Sequence, residues 1–197
     1  MPTITPSLWF DDDLEEAMAF YTSVFPNCYI EYVHRYTEAG PGTPGQVVSA
    51  GFVLDGTRFI GINGGPVFSF TEAVSFAIEC RDQDEVDYYW NALLDGGQES
   101  QCGWLKDRFG LSWQVVPKQL GELMTSEDKA KAGRVAAAMM QMVKLDIAAL
   151  EAASAMVCGA CESCGIQREC RRGGDDENYY LIAYDSVERI IKHFRVD

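Results

Sequence analysis

One pattern of secondary-structure elements occurs twice in this chain, and the repeat constrains the fold more than any other feature of the sequence. Apolar side chains recur at spacings of three and four over residues 14–25, behind an acidic cluster, and again over residues 83–94. This spacing is typical of an amphipathic helix that buries one face. A shift of 69 positions places Asp13 on Asp82 and Tyr21 on Trp90. The weak but consistent match indicates an old internal duplication.

The first copy is predicted to contain one strand, one helix and three further strands, and the second copy to follow the same order, with one strand, one helix and two further strands marked by the sequence. The strand predictions are residues 4–10, 29–36, 47–54 and 58–62 in the first copy, and 75–80, 99–104 and 112–116 in the second. Asp55-Gly56 is a specific signal for a two-residue hairpin turn. We therefore predict an α+β fold in which tandem βαβββ units, about residues 3–66 and 74–117, form a curved sheet that encloses a cavity.

Residues 119–153 have a different character, with few β-forming residues and many Ala, Met and Leu. Val135, Met139 and Met142 mark one apolar stripe, as expected for helices. These helices could cover a sheet face or form a dimer contact, and core packing is the simpler interpretation.

The charge and the distribution of apolar residues exclude two classes of partner. The chain has 16 basic and 30 acidic side chains, a net charge of −14, and no basic cluster that would attract phosphate. We therefore expect no nucleic-acid binding. No apolar run approaches the ~20 residues needed to span a bilayer, so we expect no membrane insertion. The first residues do not resemble a secretory signal, and we expect a cytoplasmic location.

The seven cysteines fall into two groups. Cys28, Cys80 and Cys102 are scattered, as isolated thiols in a reducing compartment usually are. The others cluster near the end of the chain, at Cys158, Cys161, Cys164 and Cys170. Four thiolates could bind zinc or an iron–sulfur cluster, although the spacing matches no standard motif, and a linker with free thiols is the alternative. We assign residues 1–153 to the main domain and 154–197 to a Cys-rich extension.

Several segments together carry a family resemblance. They include Leu8-Trp9-Phe10-Asp11, Phe20-Tyr21-Thr22-Ser23-Val24-Phe25-Pro26-Asn27, Leu54-Asp55-Gly56, Asn63-Gly64-Gly65-Pro66, Val86-Asp87-Tyr88-Tyr89-Trp90 and residues 101–117. Over about residues 3–153 the chain resembles the PhnB-like branch of the glyoxalase/bleomycin-resistance/dioxygenase (vicinal oxygen chelate) superfamily. Members of this branch often carry the label 3-demethylubiquinone-9 3-methyltransferase. The resemblance implies the paired βαβββ fold and a homodimer.

The resemblance also locates the positions that bind a metal in other members of the superfamily. It aligns Thr5, Asn63, Ser75 and Gln114 with those positions, and none of these side chains is a strong metal ligand. We therefore expect no catalytic metal or other cofactor in the main domain. The Gly64-Gly65 pair follows a hairpin strand and precedes no predicted helix, so we expect no S-adenosylmethionine site of the common type despite the label.

Strand alternation extends these positions to a predicted pocket. Its ligand-binding candidates are Thr5, Ser7, Trp9, Asn63, Ser75, Trp104, Lys106 and Gln114. A small metabolite or drug-like molecule with a flat apolar part would suit this polar and aromatic set. The alternative is a metal-independent lyase, isomerase or transferase with Glu79 as general base, although Glu79 could instead form an ion pair at a strand end.

Overall fold

The computed structural model describes residues 3–156, which form eight strands and five helices. The tail cysteines lie outside these residues, as do a strand that the sequence predicts over residues 179–183 and a short amphipathic helix predicted after it. The first copy of the repeat comprises β1 (Ser7–Phe10), α1 (Leu14–Val24), β2 (Tyr29–Arg35), β3 (Val47–Leu54) and β4 (Thr57–Asn63). The second comprises β5 (Ser75–Cys80), α2 (Gln83–Leu94), β6 (Gln98–Glu99), β7 (Trp104–Lys106) and β8 (Ser112–Pro117). The helices α3 (Lys118–Met124), α4 (Lys129–Met139) and α5 (Ile147–Ala155) follow.

The two copies form sheets with the same strand order. The first sheet runs β1-β4-β3-β2 and the second β5-β8-β7-β6, so each strand has its counterpart at the same place in the other sheet. Within the first sheet, β1 lies parallel to β4, while β2, β3 and β4 are antiparallel neighbours. The shared order confirms the α+β fold built from tandem βαβββ units.

The N-termini of the two repeated helices are capped in different ways. In α2, the Asp82 carboxylate accepts a hydrogen bond from the backbone N–H of Glu85. Its counterpart Asp13 makes no side-chain capping bond within the described chain. Instead, the amide oxygen of Asn63 at the end of β4 accepts from the backbone N–H of Leu14 at 3.0 Å. The start of α1 is therefore fixed by the sheet on which it packs.

One predicted strand in the second copy was wrong. Residues 99–104 do not form a single strand but contribute to two, β6 and β7, on either side of a turn. Cys102 and Gly103 both have positive φ, 59° and 83°, in this turn. Their backbone N–H groups donate to the carbonyls of Met142 and Val143. The left-handed backbone ends one strand and lets the next begin.

The described chain divides into two compact units, which do not follow the repeats. The first contains the chain up to Ala77 together with Tyr88–Glu99 and Leu105–Gln114. The second contains Ile78–Asp87, Ser100–Trp104 and the chain from Val115 onward. In the second unit Leu120, Val135, Leu145 and Leu150 form a buried cluster against which Val116 packs. Core packing, the simpler interpretation, therefore holds for Val135. No helix among residues 3–156 combines the length and apolar character needed to cross a membrane.

Candidate functional site

The first sheet has one face covered by α1 and one that faces away from it. Gly61 lies against Leu14 of α1, where a β-carbon would overlap the leucine side chain. In the ladder between β1 and β4, Leu8 is level with Gly61, and Trp9 is level with Ile62. Side chains that are level on neighbouring strands point to the same face, and successive residues alternate. Leu8 therefore faces α1, and Trp9 faces away from it.

Asn63 does not share a face with Trp9, which corrects the predicted pocket. Its ladder partner is Phe10, a buried residue on the helix side. Both ends of the Asn63 amide are used there, because its oxygen caps α1 and its NH₂ donates to the carbonyl of Val47 at 3.0 Å. The prediction failed because Asn63 was placed by family alignment, whereas its polar groups serve the N-terminus of α1.

Trp9 is half-buried and held in one orientation by the segment after β4. Its indole N–H donates to the carbonyl of Gly65 at 2.9 Å. The ring covers Gly64, at which a β-carbon would overlap it. Phe68 meets the Trp9 ring edge-on, with centroids 5.0 Å apart, and is itself 62% exposed. Trp9 can therefore offer aromatic surface to a ligand, while its N–H is already occupied.

Strand β8 also turns one side toward α1. Trp113 is buried against the rings of Tyr21 in α1 and of Phe25, which directly follows α1, at centroid distances of 5.8 and 5.2 Å. Phe76 of β5 meets Trp113 at 5.7 Å and Phe59 of β4 at 5.0 Å. These contacts form a continuous aromatic layer on the helix side. The alternating residues Ser75, Ser112 and Gln114 consequently point away from α1.

Two of the predicted residues are in direct contact on this side. The Gln114 side-chain NH₂ donates to the Ser75 hydroxyl at 2.8 Å. Both residues are partly exposed, so the pair retains the Gln114 carbonyl oxygen and the Ser75 hydroxyl proton for further hydrogen bonds.

Lys106 lies beside this pair in the same sheet. The N–H of Asp107 donates to the carbonyl of Leu111, and this register places Lys106 level with Ser112. The Lys106 ammonium nitrogen lies 2.6 Å from a Glu72 carboxylate oxygen, with both side chains about one-third exposed. The hydrogen bond from Lys106 holds the pKa of Glu72 below its usual value.

Ser112 is the least satisfied polar group on this side. It is 1% exposed, and its hydroxyl has no hydrogen-bond partner among residues 3–156. A buried hydroxyl without a partner costs about 1–3 kcal/mol. We call the residues on this side the polar face; they are Ser7, Trp9, Glu72, Ser75, Lys106, Ser112 and Gln114, and all of them belong to the first unit.

The other predicted site residues lie elsewhere or outside regular structure. Thr5 is half-buried and precedes the first residue of β1. Glu79 is exposed near the end of β5 and belongs to the second unit, as does the half-buried Trp104. The structure therefore brings together Ser75, Lys106 and Gln114, with Ser7 and Trp9 on the same side, and leaves Glu79 exposed to solvent.

The Gly64-Gly65 segment does not fit an S-adenosylmethionine site of the common type. Such a site needs a glycine-rich turn between a strand and a helix, and residues 64–74 contain no helix. Here Gly64 instead accommodates the Trp9 ring, and Gly65 supplies the carbonyl that holds the indole. Among residues 3–156, no group of three or more His, Cys, Asp or Glu side chains is arranged to hold a metal ion.

Asp107 is a buried carboxylate that sequence reasoning did not single out. One of its oxygens accepts from the Tyr21 hydroxyl at 2.7 Å and the Trp113 indole N–H at 2.8 Å. The other accepts from the backbone N–H groups of Phe109 and Leu111. Burial raises the pKa of Asp107, although these hydrogen bonds act in the opposite direction. Asp107 thus links α1 to the β7–β8 turn through hydrogen bonds.

Comparisons with known proteins place this chain in a family. Residues 2–116 match the family model described as 3-demethylubiquinone-9 3-methyltransferase. A PhnB protein from Bacillus cereus is 36% identical, with a TM-score of 0.55 over 59% of this chain and 99% of that one. The protein PA1353 from Pseudomonas aeruginosa is 19% identical, with a TM-score of 0.51 over 59% of this chain and 98% of its own.

A more distant likeness is to the fosfomycin resistance protein FosX from Listeria monocytogenes, at 17% identity and a TM-score of 0.47 over 61% of this chain and 94% of that one. No curated protein matches the chain. The fold is that of the vicinal oxygen chelate superfamily, and the chain belongs to its PhnB-like 3-demethylubiquinone-9 3-methyltransferase family.

Proposed function

We propose that the protein binds a small metabolite or drug-like molecule on the polar face, without a metal ion. The observation that carries the proposal is the Ser112 hydroxyl, which is buried beside Lys106 and has no partner among residues 3–156. A ligand oxygen that accepts from this hydroxyl would satisfy it. Buried polar groups in folded proteins are rarely left without a partner.

Three neighbouring features support a ligand rather than a purely structural role. Gln114 and Ser75 offer an amide oxygen and a hydroxyl proton beside Ser112. Trp9 and the exposed ring of Phe68 offer aromatic surface on the same side. A few fixed polar groups next to an aromatic wall are what small-molecule sites usually present.

Native mass spectrometry with elemental analysis tests the proposal on the full chain purified under reducing conditions. We expect a retained small molecule without stoichiometric metal on the main domain, and the same mass reports whether the proposed homodimer forms. Gln114→Leu should release the molecule, whereas Gln141→Leu, at an exposed position after α4 and on neither sheet, should retain it. Equal retention by both variants would contradict the assignment of the polar face.

The enzymatic alternative depends on Glu79, and the exposure of this residue gives it no support as a buried general base. We expect Glu79→Gln to bind the retained molecule as the wild type does. A Glu79→Gln protein that binds normally but loses a turnover shown by the wild type would establish the enzyme instead.

A further inference from the structure

The linker between β4 and β5, residues 64–74, is attached to the polar face at two points. Near its start, Phe68 packs edge-on against Trp9. Near its end, Glu72 pairs with Lys106 of β7. Glu72 lies four positions after Phe68, and even a fully extended chain spans at most about 14 Å over that distance. The linker therefore holds an aromatic pair and an ion pair close together on one side of the first unit.

Lys106 and Ser112 together offer hydrogen-bond donors, and neither side chain carries a negatively charged acceptor. The ammonium has three donors, and the Ser112 hydroxyl has one with no partner among residues 3–156. Anionic oxygens form the stronger hydrogen bonds to such donors. The Lys106 ammonium is paired with the carboxylate of Glu72, which belongs to the linker and not to the sheet that carries Ser112.

The Glu72–Lys106 pair is suited to exchange. About one-third of each side chain is exposed, at 34% for Glu72 and 32% for Lys106. Ion pairs with this access to water contribute little net free energy, because solvent and salt screen them. An anion in solution can therefore compete with Glu72 for Lys106 at a small cost.

We propose that Glu72 is an internal competitor for Lys106, and that the ligand of the polar face carries an anionic group next to an aromatic part. On binding, the anionic group replaces the Glu72 carboxylate on Lys106 and accepts a hydrogen bond from Ser112, while Glu72 returns to solvent. The exchange is non-covalent. This inference rests on the proposed function and adds to it the charge of the ligand and the residue that sets the charge preference.

Two dyes with one ring system test the inference on the full chain. The first, 1-anilinonaphthalene-8-sulfonate, is anionic, and the second, N-phenyl-1-naphthylamine, is its neutral counterpart. Their affinities are measured by fluorescence titration for the wild type, Glu72→Gln and Lys106→Met. Glu15→Gln is the matched control, because it removes an exposed ion pair, with Arg35 at 2.6 Å, on other elements.

We expect Glu72→Gln to strengthen binding of the anionic dye about three- to fivefold, the size of one partly exposed ion pair. The neutral dye should change less than twofold. Lys106→Met should weaken the anionic dye selectively, and Glu15→Gln should alter neither.

An unchanged ratio of the two affinities in Glu72→Gln would overturn the inference, and so would an equal loss of both dyes in Lys106→Met. In either case, the proposed function would still be supported if the neutral dye binds the wild type and Gln114→Leu weakens that binding. Failure of both dyes to bind the wild type would overturn both proposals.

Discussion

Replacing Ser112 by alanine should leave the free protein as stable as the wild type or more stable. The hydroxyl is 1% exposed without a partner among residues 3–156, which costs about 1–3 kcal/mol. Removing it leaves a space of one oxygen atom, and the lost packing offsets about 1 kcal/mol or less of that gain. We therefore expect a net increase of about 1 kcal/mol in the free energy of unfolding. This corresponds to a rise of about 2–4 °C in Tm for a protein of this size.

Urea unfolding followed by tryptophan fluorescence measures this change, and the m-value should stay constant because the exposed surface does not change. Ser23→Ala is the control, since the Ser23 hydroxyl is exposed and donates to the carbonyl of Phe20 within α1. It should alter stability by less than about 0.5 kcal/mol. Ser112→Ala should also weaken the anionic dye. A loss of 1 kcal/mol or more of stability would refute the reasoning, because it would mean that the hydroxyl is satisfied in the free protein.

Three further predictions concern other parts of the chain. Burial raises the pKa of Asp107, so the folded state binds this proton more tightly than the unfolded state does. The free energy of unfolding of the wild type minus that of Asp107→Asn, measured by urea titration, should therefore decrease as the pH rises from 4 toward 7. A growing difference would contradict this sign. Gly64→Ala should displace the Trp9 ring, which the new β-carbon would overlap, and cost about 1–3 kcal/mol with a shift in tryptophan emission. Gly121→Ala in α3, where a β-carbon meets nothing within 4 Å, should not destabilise the protein. For the tail, we propose a metal site formed by thiolates. Elemental analysis of the full chain should then find zinc or iron, which should be lost in a variant with serine at Cys158, Cys161, Cys164 and Cys170. Equal metal content in the two proteins would refute the proposal.

The strand and helix order could be predicted because each element carries its own local signal. The turn Asp55-Gly56 shows this clearly, since both residues adopt the positive φ that the dipeptide favours, 42° and 82°. Helix α2 begins and ends at the predicted residues for the same reason, with Asp82 as its cap. The turn at Cys102 escaped prediction because a cysteine with positive φ has no local signal, and the hydrogen bonds that its N–H and that of Gly103 donate to the carbonyls of Met142 and Val143 hold it in place.

The site was harder to predict than the fold, because the position of each side chain depends on its hydrogen-bond partners elsewhere in the chain. Alternation along one strand correctly grouped Ser7 with Trp9, and Gln114 met Ser75 as expected from their shared pocket. Asn63 was wrong because its amide caps a helix 49 residues away in sequence, which alternation cannot reveal. Asp107 lies between Lys106 and Arg108 in the sequence, so no apolar pattern indicated its burial; the only local signal was an Asp at the first position of the turn Asp107-Arg108-Phe109-Gly110, where its carboxylate commonly accepts from the backbone N–H two residues on.

Crystallographic fragment screening of the full chain, in the presence of a metal chelator, shows whether the polar face binds a small molecule. We expect fragments to cluster on the side away from α1, with polar atoms on Ser112 or Gln114 and rings against Trp9. Anionic aromatic fragments should displace Glu72 from Lys106. Fragments that bind only elsewhere, with the Ser112 hydroxyl bonded to a protein group, would contradict the claim.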